Sequence, residues 1–314
     1  MIITSMAPTR ISLFGGGTDL PVYYQKYGGM TISFAINLRQ HVNIQQRIDK
    51  GGNIAITLPE KSSPDFYTKI LDEFDGSYVL SSTFDAIIES GLGSSASSAV
   101  ALVSAISKYK SIPMSTREIA EKAWDIEVNK LGLYGGKQDQ YISAFGKFQE
   151  TYFAMNGNIY LNEVGYKKAD MVKDYLLLFY SGENRKNSKL QENLKELNDE
   201  QTYSLHEIKR LTKYAKNAIE RFDTNAIGSL LNEAWMYKKK SNNGVTNSKI
   251  DLIYNTAIDN GAMGGKLMGS GGGGFMFFWT PPNYHKNLIT ELEKIGCKNW
   301  DYSFDNNGVE TRII

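Results

Sequence analysis

The sequence predicts an α+β protein of two domains, and the order of its strand-like and helix-like segments carries this prediction. The first 60 residues contain short β-branched and apolar runs separated by glycine or polar breaks. From Ser95 onward, small and apolar residues recur at helical spacing, and helical patterns dominate the second half. Because strands and helices are interleaved without regular βαβ units, a layered α+β architecture fits better than a doubly wound sheet.

Length, charge and composition narrow the class of protein. A chain of 314 residues accommodates two domains, which we expect at 1–165 and 166–314. With 35 basic and 34 acidic side chains, the net charge is only +1, so no overall electrostatic field attracts nucleic acid or an anionic membrane. The start MIITSMAPTR lacks the regions of a signal peptide, and no apolar run is long enough to span a membrane. We therefore expect a cytoplasmic monomer or homodimer, and the single cysteine, Cys297, with three scattered histidines predicts no zinc site.

The individual elements follow from periodicity and from helix caps. The predicted strands of the first half are 2–6, 11–14, 31–36, 42–47, 54–58 and 147–154. One helix begins at Ser95, a second follows the capping-box pair Ser115 and Glu118, and a third covers 138–145. We place the domain boundary in the polar stretch 156–168. Beyond it, we predict a buried strand at LLLFYSG, helices over 186–198, 203–222, 225–240, 248–260 and 285–296, and strands near 299–304 and 309–313.

A glycine- and serine-rich segment at the start of the first long helix is a candidate phosphate site. Its residues are Gly91, Leu92, Gly93, Ser94, Ser95 and Ala96. The amide groups at a helix N-terminus carry about half a positive charge, and serine hydroxyls bind phosphate oxygens or magnesium. A tight turn before a serine-capped helix would have the same pattern. The chain contains neither G-x-x-x-x-G-K-[ST] nor a dinucleotide fingerprint in a βαβ context.

Four segments together resolve this ambiguity. In chain order they are APTRISLFGGGTDLP at 7–21, GLGSSASS at 91–98, GGKQDQYISAFG at 135–146 and KLMGSGGGGF at 266–275. They resemble the motifs of the galactokinase, homoserine kinase, mevalonate kinase and phosphomevalonate kinase superfamily (GHMP kinases) over nearly the whole chain. The resemblance implies an N-terminal domain of the ribosomal-protein S5 type, a ferredoxin-like C-terminal domain with added helices, and an active site between them.

Within the superfamily, GGGTDLP and GGKQDQY are most similar to the motifs of the D-glycero-α-D-manno-heptose 7-phosphate kinases. That resemblance implies a magnesium- and ATP-dependent kinase that phosphorylates the anomeric hydroxyl of this heptose phosphate, in the biosynthesis of nucleotide-activated heptose. The alternatives are a kinase for another monosaccharide such as fucose, or for an alcohol such as mevalonate. A catalytically inactive nucleotide-binding regulator and a decarboxylase of the same superfamily are further alternatives.

The resemblance also implies the catalytic residues. Asp139 matches the catalytic aspartate, which would accept the proton of the acceptor hydroxyl, although an aspartate here could simply cap a helix. Arg10 matches the arginine of the first motif and would stabilise charge on the transferring phosphoryl group, unless it is a surface residue of a strand. Ser95 and Glu127 would bind magnesium, with Glu121 and Asp125 close enough in sequence to compete with Glu127.

Sugar-binding residues are implied in the same way. Asp19 would accept hydrogen bonds from sugar hydroxyls, or would form a local turn. Gly16 and Gly17 stand where galactokinases carry an acidic residue and a histidine, which disfavours galactose and leaves room for a bulkier sugar. Gly271 and Gly272 lie in the segment 269–274, which we expect to be a tight loop beside the acceptor rather than a flexible linker.

A phosphorylated acceptor needs a second cationic pocket. The candidates are Lys137, Arg185 and Lys238, each in a segment that resembles the heptose kinases. Lysines and arginines on helices are more often solvated surface residues, so this assignment is a hypothesis.

Overall fold

Two sheets organise the chain. The computed structural model describes residues 1–46, 54–58, 62–74, 76–87, 90–183 and 193–314. The strands are β1 (Ile2–Phe14), β2 (Gly29–Gln46), β3 (Ile54–Thr57), β4 (Tyr78–Phe84), β5 (Phe148–Phe153), β6 (Ile159–Glu163), β7 (Leu176–Tyr180), β8 (Gly264–Leu267), β9 (Phe275–Trp279), β10 (Lys298–Asn299) and β11 (Glu310–Ile313). The first sheet has the order β11-β1-β2-β4-β3, with β5 on β2 and β6 on β5, and the second has the order β10-β7-β9-β8.

The first two strands are longer than the sequence predicts. β1 is continuous across the predicted break, and its pairing with β2 shifts register between Pro8 and Thr9. Proline lacks a backbone donor, so it is tolerated in a strand where the ladder is irregular. β2 pairs with β5 through its first part and with β4 through its last part, which merges the two predicted strands into one.

The helices that precede β7 carry two of the predicted motifs. They are α1 (Pro21–Tyr27), α2 (Pro64–Asp72), α3 (Ser94–Tyr109), α4 (Thr116–Asp125), α5 (Gln138–Phe145) and α6 (Tyr166–Tyr175). The small residues of α3 are almost all buried, which brings this helix close to β1 and β2. The predicted capping box is confirmed, because Ser115 and Glu118 bond each other's backbone amides. At the end of α4 the chain makes one π-helical turn, Ile126–Lys130.

The helices of the second half are α7 (Asp199–Glu220), α8 (Thr224–Ser241), α9 (Ser248–Asp259) and α10 (His285–Lys294). The last three pack against the second sheet, whereas α7 packs on α8 and on β1 and β2 of the first sheet. β9 is fully buried along its length, and its residue Phe278 joins Trp235 of α8 in one apolar cluster. The helices predicted from 203 onward are confirmed, with small differences at their ends. Of the helix predicted over 186–198, residues 186–192 lie outside the described residues and 195–198 are not helical.

Several elements were not predicted, and one prediction was too long. No element was predicted from the sequence at α1, α2, β4, β6 and α6. The strand expected near 299–304 is only β10 plus an isolated bridge between Ile36 and Phe304. β11 pairs with β1, so the last strand of the chain joins the first sheet, and the domain boundary at residue 165 stays a prediction. No helix in the described ranges is both long and apolar enough to span a membrane.

Candidate active site

A cleft of about 620 Å³ brings most of the predicted residues together. Its walls come from β1, from the loop before α3, from the start of α5, from α8 and from the segment around β8. The predicted site residues that line it are Arg10, Gly16, Gly17, Asp19, Gly91, Gly93, Ser94, Ser95, Ala96, Glu127, Asp139 and Lys238. Residues more than a hundred positions apart in sequence therefore face one cavity.

Arg10 and Asp139 form a bidentate pair at the centre of this cleft. Arg10 Nε donates to Asp139 Oδ1 at 2.6 Å, and Nη2 donates to Oδ2. The third nitrogen, Nη1, donates to the carbonyl of Gly91 at 2.9 Å. The arginine is buried, whereas the Asp139 side chain keeps 28% of its surface exposed. Two parallel charge-assisted bonds hold the carboxylate rigidly while leaving it open to a ligand.

A hydrogen-bonded glutamine supports this pair. Ser12 Oγ donates to Gln138 Oε1 at 3.0 Å, and Gln138 Nε2 donates to Asp139 Oδ1 at 3.3 Å. Asp139 lies in the first turn of α5, so its backbone position is set by the helix. The carboxylate can accept a proton from a hydroxyl group that enters the cleft.

The glycine-rich loop before α3 touches the Arg10–Asp139 pair. Gly93 has φ +80°, and a Cβ at this position would lie 3.1 Å from Asp139 Oδ2 and 3.3 Å from Arg10 Cζ. Glycine adopts this backbone conformation without strain and leaves room for the two side chains. Gly93 carries no capping side chain, so the first-turn amides of α3 keep their capacity to bind an anion.

Glu127 is the acidic residue of the π-helical turn that lines the cleft. Its Oε1 accepts a hydrogen bond from Ser95 Oγ, and its Oε2 accepts one from Gln140 Nε2 at 2.8 Å. Burial raises the pKa of Glu127 to about 7. The two alternative acidic residues for the magnesium site have other partners. Glu121 accepts hydrogen bonds from Lys137 and Tyr141, and Asp125 accepts one from Asn129. π-Helical turns are frequent at functional sites, and this one sets the position of Glu127.

Ser95 and Glu127 fit a magnesium site of the kind that phosphates complete. Both offer oxygen atoms, and they are in direct contact. The part of the chain that the structure describes contains no group of three or more metal-binding side chains. Magnesium commonly takes one or two protein oxygens and completes its shell with water and substrate phosphates, so two protein ligands suffice.

Asp19 lies in the same cleft, fixed by backbone amides. Its Oδ1 accepts from the Gly17 amide at 3.0 Å, and its Oδ2 accepts from the Gln138 amide at 3.1 Å. Burial, and then the nearby charge of Asp139, raise the pKa of Asp19. The bond to Gly17 is the expected local turn, and the bond to Gln138 ties this turn to α5.

Lys137, Arg185 and Lys238 differ in position. Lys137 Nζ donates to Glu121 Oε2 at 2.5 Å and lies 4.4 Å from the ring centroid of Trp124, and Lys137 is not among the residues that line the cleft. The geometry therefore gives no support to a substrate contact of Lys137. Lys238 lines the cleft, and Arg185 lies outside the described residues.

The glycine-rich loop after β8 is a tight loop and not a linker. The amide of Phe275 donates to the carbonyl of Ser90 at 2.8 Å, which places the end of the loop beside the phosphate loop. The two predicted ligand-binding glycines have a different environment. A Cβ on Gly271 would lie 2.5 Å from Val245 Cα, and the Gly272 amide donates to the Val245 carbonyl at 3.0 Å. Gly271 and Gly272 thus pack against Val245, and Gly269 and Ser270 line the cleft instead.

Sequence reasoning missed several polar residues of the cleft. Gln138, Gln140, Lys266 and Ser270 all line it. The Ser270 hydroxyl is buried and has no hydrogen-bond partner among the described residues. For Lys266 a signal existed, because a lysine inside an otherwise apolar strand run is unusual unless its charge is used.

Comparisons with known protein families identify the family to which this sequence belongs. The model of the GHMP kinases N terminal domain matches residues 66–147, and that of the GHMP kinases C terminal domain matches residues 215–297. The chain belongs to the GHMP kinase family. The predicted two-domain α+β GHMP-kinase fold and the predicted enzyme class, an ATP-dependent phosphotransferase, are thereby confirmed.

Individual relatives are similar over the full length. The D-glycero-alpha-D-manno-heptose 7-phosphate kinase of Campylobacter jejuni is 32% identical over 335 residues, which cover 98% of each chain. The crystal structure of a D-glycero-D-manno-heptose 1-phosphate kinase from Bacteroides thetaiotaomicron superposes with a TM-score of 0.80 at 25% identity, covering 99% of each chain. A mevalonate kinase of Thermococcus sibiricus is 24% identical over 327 residues, 90% of each chain.

Proposed function

We propose that this kinase transfers the γ-phosphoryl group of ATP to the anomeric hydroxyl of D-glycero-α-D-manno-heptose 7-phosphate, giving the 1,7-bisphosphate for nucleotide-activated heptose biosynthesis in the cytoplasm. One observation carries the proposal: the bidentate pair of Arg10 and Asp139 touches the phosphate loop at Gly93 and faces the same cleft as Asp19. A base, a cation, a phosphate-binding helix end and a sugar-binding carboxylate are then available in one cavity. The similarity to the Campylobacter jejuni kinase supports the choice of sugar.

The nucleotide phosphates would bind to the loop from Gly91 to Ala96. The first-turn amides of α3 and the Ser94 hydroxyl would donate to phosphate oxygens. Ser95 and Glu127 would hold a magnesium ion against those phosphates. That ion would neutralise charge as the phosphoryl group leaves ADP.

Phosphoryl transfer needs a base at the acceptor hydroxyl and a cation at the phosphoryl group. The anomeric oxygen would attack the γ-phosphorus while its proton moves to the Asp139 carboxylate. As the new O–P bond forms, the bond from the γ-phosphorus to the bridging oxygen breaks, and its electron pair remains on ADP. Arg10 would hold the carboxylate in place and stabilise the charge that develops on the transferring group.

The sugar would lie between Asp139 and Asp19. The fixed Asp19 carboxylate would accept hydrogen bonds from ring hydroxyls, and the absence of side chains at Gly16 and Gly17 leaves space for a heptose. Lys238 is the cleft-lining cation from α8 that could face the sugar phosphate. The Arg10–Asp139 pair disfavours the inactive-regulator alternative, because a binding protein has no need of a rigid base in its cleft.

A substrate panel tests this proposal. The protein is incubated with magnesium and ATP and with heptose 7-phosphate, heptose 1-phosphate, fucose, galactose or mevalonate, and the products are identified by phosphorus NMR. We expect a new anomeric phosphate signal with heptose 7-phosphate only. Turnover of heptose 1-phosphate or fucose without heptose 7-phosphate would reject the proposed acceptor, and turnover of no compound would favour a regulator.

A further inference from the structure

Lys266 is a buried cation in the cleft to which no role has been assigned above. It lies on β8, opposite Phe277 of β9, and only 6% of its surface is exposed. Its Nζ is 5.9 Å from the centroid of the Phe277 ring. Within the described ranges, its ammonium makes no hydrogen bond or ion pair. A buried ammonium without a partner is costly, so such a group points to an anionic ligand.

Two other lysines near this site are already bonded, and a third, Lys69 of α2, is exposed to solvent. Lys137 is paired with Glu121, and Lys238 donates to the carbonyls of Leu267 and Gly269 at 2.7 and 2.8 Å. Lys266 therefore differs from these three lysines, because it is buried and lines the cavity while its charge has no hydrogen-bonded partner among the described residues.

The charges around Lys266 indicate where an anionic ligand would bind. Arg10 on β1 and Asp19 in the following loop are the charged groups that act on it most strongly after burial. The Arg10 charge is bonded to Asp139, and each Asp19 oxygen accepts a backbone amide. Lys266 thus shares the cleft with the sugar-binding carboxylate and with the arginine that holds the base. In the proposed reaction, the anion that comes closest to the base is the phosphoryl group in transfer.

We propose that Lys266 is a further catalytic residue whose ammonium donates a hydrogen bond to the phosphoryl group as it moves from ATP to the sugar. This inference rests on the proposed function. Lys266 keeps its proton throughout the step, because the hydroxyl proton goes to Asp139 and the electron pair of the broken bond remains on ADP. Its role is to stabilise the transferring charge from a buried position, where such a donor is most effective.

The protonation of Lys266 supports this role and adds a pH dependence. Burial, and then the charge of Arg10, lower the pKa of Lys266 to about 7. Asp19 opposes this shift, and the other charged residues that line the cleft are Asp65, Lys69, Glu127, Asp139 and Lys238. The free enzyme therefore loses the ammonium as pH rises above about 7, whereas a bound phosphate raises the pKa again. We expect kcat/KM for ATP to fall above about pH 7, while kcat persists to higher pH.

Three variants test the role of Lys266. Lys266→Met removes the charge with little change in volume, Lys266→Arg keeps a cation that does not titrate in this range, and Lys249→Met is the control. Lys249 is a half-buried lysine of α9 that donates to the carbonyl of Ile295, away from the cleft. All variants are compared by thermal unfolding, by steady-state kinetics and by calorimetric binding of ADP and of the β,γ-imido analogue of ATP.

We expect Lys266→Met to lower kcat by about 10²–10³-fold, the usual effect of losing one such donor. The same substitution should weaken binding of the imido analogue about tenfold and leave ADP binding unchanged, because only the analogue carries the third phosphate. Lys266→Arg should abolish the decline of kcat/KM above pH 7. Equal losses of ADP and analogue binding, or a raised KM for the sugar phosphate with unchanged kcat, would overturn the inference.

The two nucleotide ligands separate this inference from the proposed function. Binding of ADP and of the imido analogue does not depend on which sugar is the acceptor. The comparison of these two affinities therefore still tests Lys266 if the proposed sugar is incorrect. If heptose 7-phosphate is turned over but Lys266→Met binds ADP and the analogue like the unsubstituted protein and keeps its kcat, the inference fails and the proposed function stands.

Discussion

We expect Gly136→Ala to lower kcat/KM for the sugar and to leave nucleotide binding unchanged. A Cβ at residue 136 would lie 1.9 Å from Asp19 Oδ2 and 2.3 Å from Asp19 Cγ. The backbone of Gly136 is not in the left-handed region, so alanine fits its φ without strain. The Asp19 carboxylate must therefore move and lose its bond from the Gln138 amide, and the Asp19 carbonyl oxygen, 2.9 Å from the same Cβ, must shift slightly.

The size of the effect follows from one hydrogen bond to a charged group. Such a bond contributes about 1.5–3 kcal/mol, and each 1.4 kcal/mol corresponds to about tenfold. If Asp19 binds a sugar hydroxyl, kcat/KM for the sugar should fall by about 10–150-fold. ADP affinity should change by less than about twofold, since the phosphate loop is untouched.

The assay is steady-state ADP release with the sugar concentration varied, together with calorimetric ADP binding. Gly165→Ala is the matched control, because a Cβ at residue 165 meets no atom within 4 Å and the φ of −60° is ordinary. If Gly136→Ala folds and keeps the kcat/KM of the control for the sugar, Asp19 does not bind the acceptor and the assignment is wrong.

Three further substitutions test the metal site, the stability of the first sheet and the phosphate loop. Ser95→Ala should raise the magnesium concentration for half-maximal rate by about tenfold, measured by titration of the initial rate, and an unchanged titration would exclude Ser95 as a ligand. Arg39→Met removes the guanidinium whose Nε lies 2.5 Å from Oδ2 of the buried Asp305 and so leaves that carboxylate without its ion pair. The free energy of unfolding in urea should fall by about 3 kcal/mol, with kcat unchanged. Gly91→Ala places a Cβ 2.7 Å from the carbonyl of Met268 at a φ of +88°, so ADP affinity and thermal stability should both fall, and a variant equal to the unsubstituted protein would refute that contact.

The sequence predicted those parts of the fold that depend on local chemistry. The helix started by Ser115 and Glu118 and the helices of the second half rest on caps and periodicity, which are readable within one segment. The continuity of β1 through Pro8 was not readable, because a proline breaks a strand unless the partner strand tolerates a register shift. That tolerance is a property of β1 and β2 together.

In the candidate site, too, the sequence predicted which residues come together but not the contacts that depend on residues distant in sequence. The resemblance predicted that Arg10, Asp19 and Asp139 lie together, and the structure brings them into one cleft. It did not predict that Lys137 turns toward Glu121 and Trp124, because the direction of a side chain depends on what α4 presents to it. Lys266 was overlooked for a related reason, since a lysine in an apolar run is only a hint and the folded chain is needed to show that this strand residue lines the cleft.

The central claim is that Asp139 accepts the proton of the sugar hydroxyl in this cleft. The most direct measurement is kcat of Asp139→Asn with heptose 7-phosphate and magnesium-ATP, with ADP binding measured on the same sample. Asparagine keeps the shape of aspartate but cannot take the proton, so we predict a fall in kcat of about 10²–10⁴-fold with ADP affinity retained. A kcat equal to that of the unsubstituted protein would contradict the account.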